Sequence, residues 1–495
     1  MRYRAILQGR YRAIVSYTAL ILLIAAGVIL APLLLLFFRP EERFLWPGFA
    51  FPGLILAAVS FALWRSFRPR RPAALSVADG GVIVVLSWMI AMLAGAVPFL
   101  LSGRMGFTPA LFESVSGWTT TGLSVVDVEA APGIILLYRS LLQFAGGAGF
   151  AIIMLASLTG PPGLGLLAAE GRTDQLVPQV RRSAKLVFGL YIVYNLAGIA
   201  ALAAAGMGLF DAVNHSLAAL STGGFSTRAE SIGAWGSLPV EAVTIVLMVL
   251  GNLSFLTGYT LLHGRFRAVG RNGEVRLQAY LIPLFAAVLF FFVTRSLYPT
   301  LGQSVRTAVF ETVTALTTTG YSITSYGRWP ALGWVVIIAL MIIGGGGGST
   351  AGGIKQFRVY ILARAVAWEI AGFFRPRTAV GDFSVWQGDR RVFIESPQVR
   401  RVAVFCFSYL VILFAGTTII AAYGYPLRES LFEFASALGT VGLSIGITGP
   451  AAPAGVLWTG IFGMFLGRLE FFVIIVGLVR IISDLPLLLS RREDR

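Results

Sequence analysis

Ten long apolar segments recur along the chain of 495 residues, and they limit the possible fold more than any other feature of the sequence. Most of them are close to the roughly 20 residues with which an α-helix crosses a lipid bilayer. Hydrophobic residues make up 57% of the chain and charged residues 13%. We therefore predict an all-α polytopic membrane protein. The predicted spans are residues 14–38, 49–64, 80–101, 134–158, 186–207, 240–262, 279–298, 331–374, 402–423 and 456–482.

Lysine and arginine residues concentrate in every second connection between these segments. Basic clusters precede the first segment and follow the second, fourth, sixth, eighth and tenth. Cytoplasmic loops carry such an excess, so these connections and both chain termini are predicted to be cytoplasmic. The same bias explains the net charge of +16 without a nucleic-acid partner.

Four short signatures of Thr, Gly and Ser lie in the connections on the opposite side of the membrane. Each follows an apolar stretch too short to cross the bilayer, at residues 107–119, 210–221, 309–317 and 431–439. We predict that each stretch is a half-helix that enters the membrane and turns back through a glycine loop. Aligned on their central glycines, the signatures contain Thr120, Thr121 and Gly122; Thr222, Gly223 and Gly224; Thr318, Thr319 and Gly320; and Thr440, Val441 and Gly442.

These signatures favour a ring of backbone carbonyls. Each unit contains two full crossings, so all four units share one orientation and can surround an axis along the membrane normal. Consecutive carbonyls can face one axis only in backbone conformations that glycine permits, and such rings select cations. We predict an N-terminal two-helix hairpin at residues 1–72, followed by four repeats of helix, pore helix, loop and helix. The repeats are residues 73–165, 166–265, 266–374 and 375–495.

The fourfold pattern is approximate. Asn214 and His215 replace the Phe-Glu pair that stands at the equivalent positions of the other three units, and Gly439 and Val441 interrupt the threonines of the fourth. A ring built from these loops is therefore expected to be imperfect in its second and fourth quarters.

The eighth apolar segment is too long for one simple crossing, and a run of small residues divides it. Each glycine costs about 1 kcal/mol of helix propensity relative to alanine, so the helix should break here. The functional interpretation is an intramembrane loop that gates conduction, and the alternative is a static kink used for packing. The run consists of Gly344, Gly345, Gly346, Gly347, Gly348, Ser349 and Thr350.

Arg468 lies in the middle of the last apolar segment. A guanidinium at that depth costs at least about 2.5 kcal/mol on insertion scales, so it should face water, a carboxylate or carbonyls. Facing the pore, it would repel cations and hold the gating loop through hydrogen bonds. The alternative is an ion pair that fixes helix packing, although Glu470 is a poor same-face partner at a spacing of two.

The other polar residues at membrane depth have structural interpretations. Arg139 is close enough to the outer end of its span to extend into the interface. Three carboxylates fall in the early part of the half-helices, where they would offset the helix dipole: Glu113, Glu311 and Glu433. Three amides are expected to bond between helices rather than contact an ion: Gln143, Asn195 and Asn252.

With these motifs the chain resembles the Trk/Ktr/HKT superfamily of potassium transporters, over about residues 75–485. Among its branches it is most similar to the bacterial TrkH-type potassium uptake subunit, because an extra helical hairpin precedes the repeats. The resemblance implies a multi-pass protein of the bacterial cytoplasmic membrane, with Gly122, Gly224, Gly320 and Gly442 lining a selectivity filter. Sodium-favouring plant relatives commonly carry serine at the first position, so Gly122 implies potassium over sodium. A similar gating loop, and a pore arginine that corresponds to Arg468, are also implied.

The resemblance also implies partners. TrkH-type subunits form homodimers in which each protomer has its own pore, and they bind a cytoplasmic ring of TrkA-type nucleotide-binding regulatory domains. This chain has no GxGxxG fingerprint, so any nucleotide would be held by that separate chain and no cofactor of its own is expected. The basic inner face could bind this ring or anionic lipid headgroups. The loop at residues 381–401 is the candidate docking segment, or else a solvated linker.

Two alternatives to a potassium transporter remain. One is a sodium-permeable or nonselective cation transporter of the same fold. The other is an intramembrane enzyme, which would need a base and nucleophile or metal-binding carboxylates; the sequence offers neither, and His215 and His263 have no companion ligands for a transition metal. Passive conduction and coupling to protons or sodium both fit the sequence, since no relay of intramembrane carboxylates stands out.

Overall fold

The computed structural model describes residues 2–69, 76–148, 180–374, 384–387, 390–469 and 471–489, and these form a mostly helical chain. The helices of the first half are α1 (Arg2–Leu30), α2 (Trp46–Phe67), α3 (Val77–Leu101), α4 (Phe107–Trp118), α5 (Gly133–Ala148), α6 (Val180–Ala204), α7 (Leu209–Leu220), α8 (Leu238–Asn252) and α9 (Phe255–Leu262). Those of the second half are α10 (Phe266–Arg271), α11 (Gly273–Leu289), α12 (Arg295–Leu297), α13 (Leu301–Leu316), α14 (Ala331–Ile343), α15 (Gln356–Gly372), α16 (Ser396–Ala422), α17 (Leu427–Leu438), α18 (Ala454–Arg468) and α19 (Phe471–Leu489).

The predicted all-α membrane fold is confirmed. Six helices in the described ranges are long and apolar enough to cross a bilayer, and two bent helix pairs raise the number to eight. Two shorter apolar helices, α5 and α14, fall within the remaining two predicted spans. The second half of the predicted span 134–158 lies outside the described residues.

The N-terminal helices α1 and α2 form the predicted hairpin, joined by two 3₁₀ turns at Ala31–Phe37 and Pro40–Leu45. The carboxylate of Glu42 in the second turn accepts hydrogen bonds from the amides of Gly133 and Ile134, at 2.8 and 2.7 Å. It thereby satisfies two free N–H groups at the start of α5. Arg10 of α1 also pairs with Asp79 of α3 and Asp484 of α19, at 3.1 and 2.5 Å. The hairpin is thus fixed to the helices beside it.

Four short helices, α4, α7, α13 and α17, occupy the positions predicted for half-helices. Three of them begin within four residues of the predicted start, whereas α13 begins at Leu301, eight residues before it. Their last residues are buried in every case. Each packs against the helices that precede and follow it, so their C-terminal ends are held inside the bundle.

Within the part of the chain that the structure describes, three of the predicted spans are broken, and only one of these breaks was predicted. The predicted break separates α14 from α15 at the glycine run. The other two were predicted as continuous spans: α8 and α9 meet at an angle of 118°, and α18 and the first part of α19 meet at 98°. The sequence gives little warning, because Leu253 and Ser254 are not strong helix breakers. Tertiary contacts decide this break, since the amide of Phe255 donates to the carbonyl of Gly348 in the glycine run at 3.3 Å.

Part of the predicted docking loop at residues 381–401 forms an antiparallel hairpin of β1 (Ser384–Gln387) and β2 (Arg390–Phe393). Val385 and Ile394 are buried against Ile361 of α15. Residues 381–383 and 388–389 of this loop lie outside the described residues. The described part of this segment is therefore packed against α15 rather than extended as a solvated linker.

Candidate functional site

The four loops that follow the short helices share an unusual backbone path. Each passes twice through the left-handed region, first at a threonine and two residues later at the central glycine. The threonines have φ of 55° at Thr120, 52° at Thr222, 53° at Thr318 and 49° at Thr440. The glycines have φ of 91° at Gly122, 71° at Gly224, 83° at Gly320 and 97° at Gly442. All twelve residues predicted to line the loops are included in these four segments.

The left-handed threonines were missed at the sequence level, because only glycine adopts this conformation without cost. For a β-branched residue it is an outlier that costs about 1 to 3 kcal/mol. The surroundings must therefore hold the loops in place. In the first loop, the amide of Thr121 donates to the carbonyl of Ser116 at 2.9 Å, and the amide of Gly122 donates to the Ser116 hydroxyl at 3.0 Å. Val441, Gly442 and Ser436 repeat this arrangement in the fourth.

The central glycines interlock with the neighbouring loops in a closed cycle. A Cβ atom added to any of them would overlap the carbonyl oxygen of the residue before the central glycine of the next loop: Gly122 against Gly223, Gly224 against Thr319, Gly320 against Val441, and Gly442 against Thr121. The fourth loop thus returns to the first, and the four loops surround one axis. We call this arrangement the loop ring. It requires glycine at these positions both for the positive φ and for the close approach of two backbones.

A buried side chain on each short helix supports the loop ring from behind. Glu113, Glu311 and Glu433 accept a hydrogen bond from the serine two residues after the central glycine, at 3.0, 3.0 and 2.8 Å. In the second loop His215 makes the same contact, with Nε2 3.0 Å from the hydroxyl of Ser226. We call these four residues the ring supports. The substitution of His215 for glutamate therefore changes the charge and keeps the hydrogen bond.

This geometry corrects the role predicted for the three glutamates. They were expected near the beginnings of the half-helices, offsetting the helix dipole, but each lies past the middle of its helix and is at most 2% exposed. Their partners are loop groups, including the amides of Val125, Ile323 and Ile445 at 3.0, 2.9 and 3.2 Å. The alignment of the sequence contained the signal, because a glutamate stands nine residues before the central glycine in three of the four loops.

Arg139 was predicted to extend toward the membrane interface, and this is wrong. Its side chain is 2% exposed, and Nε lies 2.6 Å from a carboxylate oxygen of Glu113. The other guanidinium nitrogens donate to the hydroxyl of Ser124 and the carbonyl of Ser226, at 2.8 and 3.0 Å. Burial demands such partners, because an unpaired charge in this environment is costly. Arg139 therefore links the first loop to the second.

Gln143 and Asn195 were predicted to bond between helices. Gln143 instead binds the second loop: its Nε2 donates to the carbonyl of Gly223 at 2.6 Å, and its Oε1 accepts from the amide of Phe225 at 3.1 Å. Asn195 bonds within its own helix to the carbonyl of Tyr191. A side chain from the first repeat thus braces a loop of the second.

On one side the loop ring opens into a cavity of about 850 Å³. All four central glycines line it, together with the serines Ser124, Ser226, Ser322 and Ser444. The cavity is large enough for many water molecules and leads directly to the ring.

The glycine run lies against the opposite side of the ring. The hydroxyl of Thr222 donates to that of Thr350 at 3.1 Å, and the amide of Gly352 donates to the hydroxyl of Thr318 at 2.8 Å. A Cβ atom at Gly352 would overlap the backbone of Gly439 and the hydroxyl of Thr440. Thr350 of the run and Gly352 just after it therefore contact the second, third and fourth loops at their left-handed threonines or next to them.

Two neighbouring helices hold the run through its backbone amides. The amide of Gly346 donates to Oδ1 of Asn252 at 3.0 Å, and the amide of Gly347 donates to a carboxylate oxygen of Glu274 at 2.6 Å. Asn252 was predicted to bond to another helix, and its partner is instead the backbone amide of Gly346, between α14 and α15. Glu274 was not identified from the sequence. It follows an ordinary N-cap residue, Asn272, and nothing in its local pattern distinguishes it from a first-turn acid.

Arg468 binds the glycine run, as one of its two interpretations required. One guanidinium nitrogen donates to the carbonyl of Thr350 at 2.5 Å, and the other donates to the carbonyl of Gly146 at 2.5 Å. It stands at the end of α18, where the predicted span breaks. The side chain therefore bridges the run to the first repeat. Glu470, which the spacing of two made a poor partner for Arg468, lies outside the described residues.

The sequence of this chain matches the family model of the TrkH cation transport proteins over residues 49–484. The chain belongs to the TrkH family. The match covers most of the chain and includes all four loops, the glycine run and Arg468, so the predicted TrkH-type membership of the Trk/Ktr/HKT superfamily is confirmed.

Individual TrkH relatives match over nearly their full lengths. The Trk system potassium uptake protein TrkH of Escherichia coli K12 is 29% identical over 490 residues, which cover 94% of this chain and 98% of the relative. An uncharacterized cation transporter of Methanocaldococcus jannaschii is 29% identical over 451 residues, which cover 90% of this chain and 91% of the relative. The crystal structure of the potassium transporter TrkH from Vibrio parahaemolyticus superposes with a TM-score of 0.83 at 28% identity. The superposition covers 94% of this chain and 98% of that transporter.

Proposed function

We propose that this TrkH family member translocates potassium ions across the cytoplasmic membrane, as the membrane subunit of a Trk-type uptake system. The observation that carries the proposal is the closed cycle of four glycine loops around one axis. Potassium as the ion is supported by two relatives, the potassium uptake protein TrkH of Escherichia coli and the potassium transporter TrkH of Vibrio parahaemolyticus. The family assignment favours transport over the alternative of an intramembrane enzyme.

The loop ring is the proposed selectivity filter. The carbonyl oxygens of Thr121, Gly223, Thr319 and Val441 make equivalent contacts to the central glycines of neighbouring loops, and such oxygens can replace part of the hydration shell of a cation. The four short helices direct their C-terminal ends toward these loops, which adds partial negative charge where the ion would be bound. Gly122 in the first loop supports potassium over sodium, as the superfamily resemblance implies.

The glycine run is the proposed gate, and Arg468 is the residue that holds it closed. Thr350 of the run and Gly352 just after it cover the inner side of the ring at Thr222 and Thr318, so an ion leaving the ring would meet this segment. Its amides are tied to side chains of other helices rather than to a regular helix, so it can be released without unfolding α14 or α15.

The remaining features belong to the same proposal. The basic connections face the cytoplasm, both termini are cytoplasmic, and the repeats are bounded as the sequence predicts. The chain forms a homodimer and binds a cytoplasmic TrkA-type ring and membrane lipid. The hairpin β1–β2 is the proposed docking segment, because its packing against α15 connects it to the helix that follows the glycine run.

Rubidium uptake into proteoliposomes tests this function. Purified protein reconstituted in potassium-loaded vesicles should take up rubidium, and external potassium should compete more strongly than sodium. Equal competition by sodium would support the nonselective alternative instead, and no uptake by correctly folded protein would overturn the proposal. Repeating the assay with an imposed proton gradient distinguishes coupled from passive movement.

Replacing Arg468 by alanine should raise the basal rubidium flux. The change removes two charge-assisted hydrogen bonds to the backbone of Thr350 and Gly146, each of which contributes about 1.5 to 3 kcal/mol. The basal flux of Arg468→Lys should lie between those of wild type and Arg468→Ala, because one ammonium group cannot reproduce the planar fork of the guanidinium.

Arg295→Ala is the matched control, since it removes an exposed arginine from α12 and should leave the flux unchanged. If Arg468→Ala lowers only the unfolding temperature and leaves the flux at the control value, the residue serves packing and not gating.

A further inference from the structure

The four ring supports occupy equivalent positions but differ in charge. Near the first two loops the charge is compensated. Glu113 is paired with Arg139, and both side chains are at most 2% exposed. His215 has Nδ1 2.8 Å from the carbonyl of Asp211 and Nε2 3.0 Å from the hydroxyl of Ser226, an arrangement that the neutral imidazole satisfies with one donor and one acceptor.

The supports of the third and fourth loops have no such compensation. Among the described residues, neither Glu311 nor Glu433 has a basic nitrogen within 4.0 Å. Both side chains are at most 2% exposed. The basic residue nearest in sequence to Glu311, Arg306, is paired with Glu241 at 2.9 Å. The charge behind the loop ring is therefore concentrated on one side of the axis.

The hydrogen bonds of these two glutamates favour the ionised form. Glu433 accepts from the amides of Ile445 and Thr448, at 3.2 and 3.0 Å, and from the hydroxyl of Ser444. Glu311 accepts from the amide of Ile323 and the hydroxyl of Tyr326. A backbone amide can only donate, so the amides that bond to these two side chains stabilise carboxylate oxygens that carry no proton.

We propose that Glu311 and Glu433 are affinity-determining residues, whose buried and unpaired negative charges stabilise a dehydrated monovalent cation in the loop ring. The inference rests on the proposed function, because it assumes that the ring binds the transported ion. The two glutamates act through charge at a distance and contact the loops rather than the ion. The interior of the protein screens such charges much less than water does, so each can change the affinity of the ring by about tenfold.

Isosteric substitutions separate charge from hydrogen bonding. Glu311→Gln retains a carbonyl oxygen for the Ser322 hydroxyl and the Ile323 amide, and its NH2 group can donate to the Tyr326 hydroxyl. Glu433→Gln retains an acceptor for Ser444 and Thr448 but loses the acceptor of the Ile445 amide, so it removes one hydrogen bond together with the charge. We expect each to raise the rubidium concentration for half-maximal uptake by about tenfold, with a smaller change in the maximal rate. In the double variant this concentration should rise by the product of the two single increases. Added choline chloride should not abolish the difference in this concentration between wild type and the variants, because the charges are buried.

Glu429→Gln is the matched control on α17. It removes one carboxylate from the same short helix as Glu433, but its side chain is 32% exposed. The rubidium concentration for half-maximal uptake by this variant should equal that of wild type. If the glutamine variants of Glu311 and Glu433 also equal wild type while their alanine variants are impaired, the two residues only support the loops and the inference is wrong. If wild-type protein takes up no rubidium, it is the proposed function that fails, before the variants are compared.

Discussion

Gly122→Ser is expected to lower the potassium-to-sodium permeability ratio by about tenfold or more. The glycine has φ of 91°, and a Cβ atom there would overlap the carbonyl oxygen of Gly223 in the next loop. A serine must either keep a backbone conformation that costs about 1 to 3 kcal/mol or displace the carbonyl from the ring. Either change disturbs the carbonyl positions that distinguish the two ions. Bi-ionic flux measurements on reconstituted protein give the ratio directly.

Gly424→Ser provides the matched control for that substitution. Gly424 has φ of 93°, close to the value at Gly122, but no atom lies within 4 Å of a Cβ built there. The control therefore imposes the same local strain without a collision in the ring. We expect its permeability ratio to equal that of wild type. An unchanged ratio in Gly122→Ser as well would contradict the assignment of the loop ring as the selectivity filter.

Deletion of Gly345, Gly346 and Gly347 should raise the basal rubidium flux. Their amides donate to the carbonyl of Gly352 and to side chains of Asn252 and Glu274, at 3.1, 3.0 and 2.6 Å. Three hydrogen bonds at about 1 kcal/mol each amount to about 3 kcal/mol of stabilisation of the covered ring, or roughly a hundredfold in the ratio of closed to open protein. Rubidium efflux without a regulatory partner measures this change.

Substitutions that preserve the chain length complement the deletion. Asn252→Ala and Glu274→Ala each remove one acceptor and should raise the flux in the same direction by a smaller factor. Glu369→Ala removes an exposed carboxylate from α15, the helix after the glycine run, and should have no effect. The gate assignment would be refuted by unaltered or lost flux in a deletion variant whose elution profile and unfolding temperature match wild type.

The membrane fold and the loop positions could be predicted from the sequence because both depend on local patterns. The length of an apolar segment decides whether it crosses a bilayer, and each of the ten predicted segments overlaps an apolar helix of the structure. The loops were found because the same few residues recur four times at fixed spacing, and the break at the glycine run follows from helix propensity.

Contacts between distant residues could not be predicted in the same way. The breaks after Asn252 and Arg468 have no strong local signal, and the side chains of both residues bind the distant glycine run. The pairing of Arg139 with Glu113 joins residues 26 positions apart, and the contact of Arg468 with Gly146 spans 322. A sequence pattern reports which side chains are polar, and not which of them become buried together.

The sequence by itself determined an all-α membrane protein with four related glycine loops, one interrupted helix and basic residues in every second connection, because span length, repeat spacing and glycine propensity are local properties. Only the tertiary structure decided that the loops interlock in a closed cycle, that threonines accept the left-handed conformation, and that the glycine run covers the ring. These features depend on the close approach of backbones from different repeats, whose stabilisation arises from hydrogen bonds and packing across the bundle.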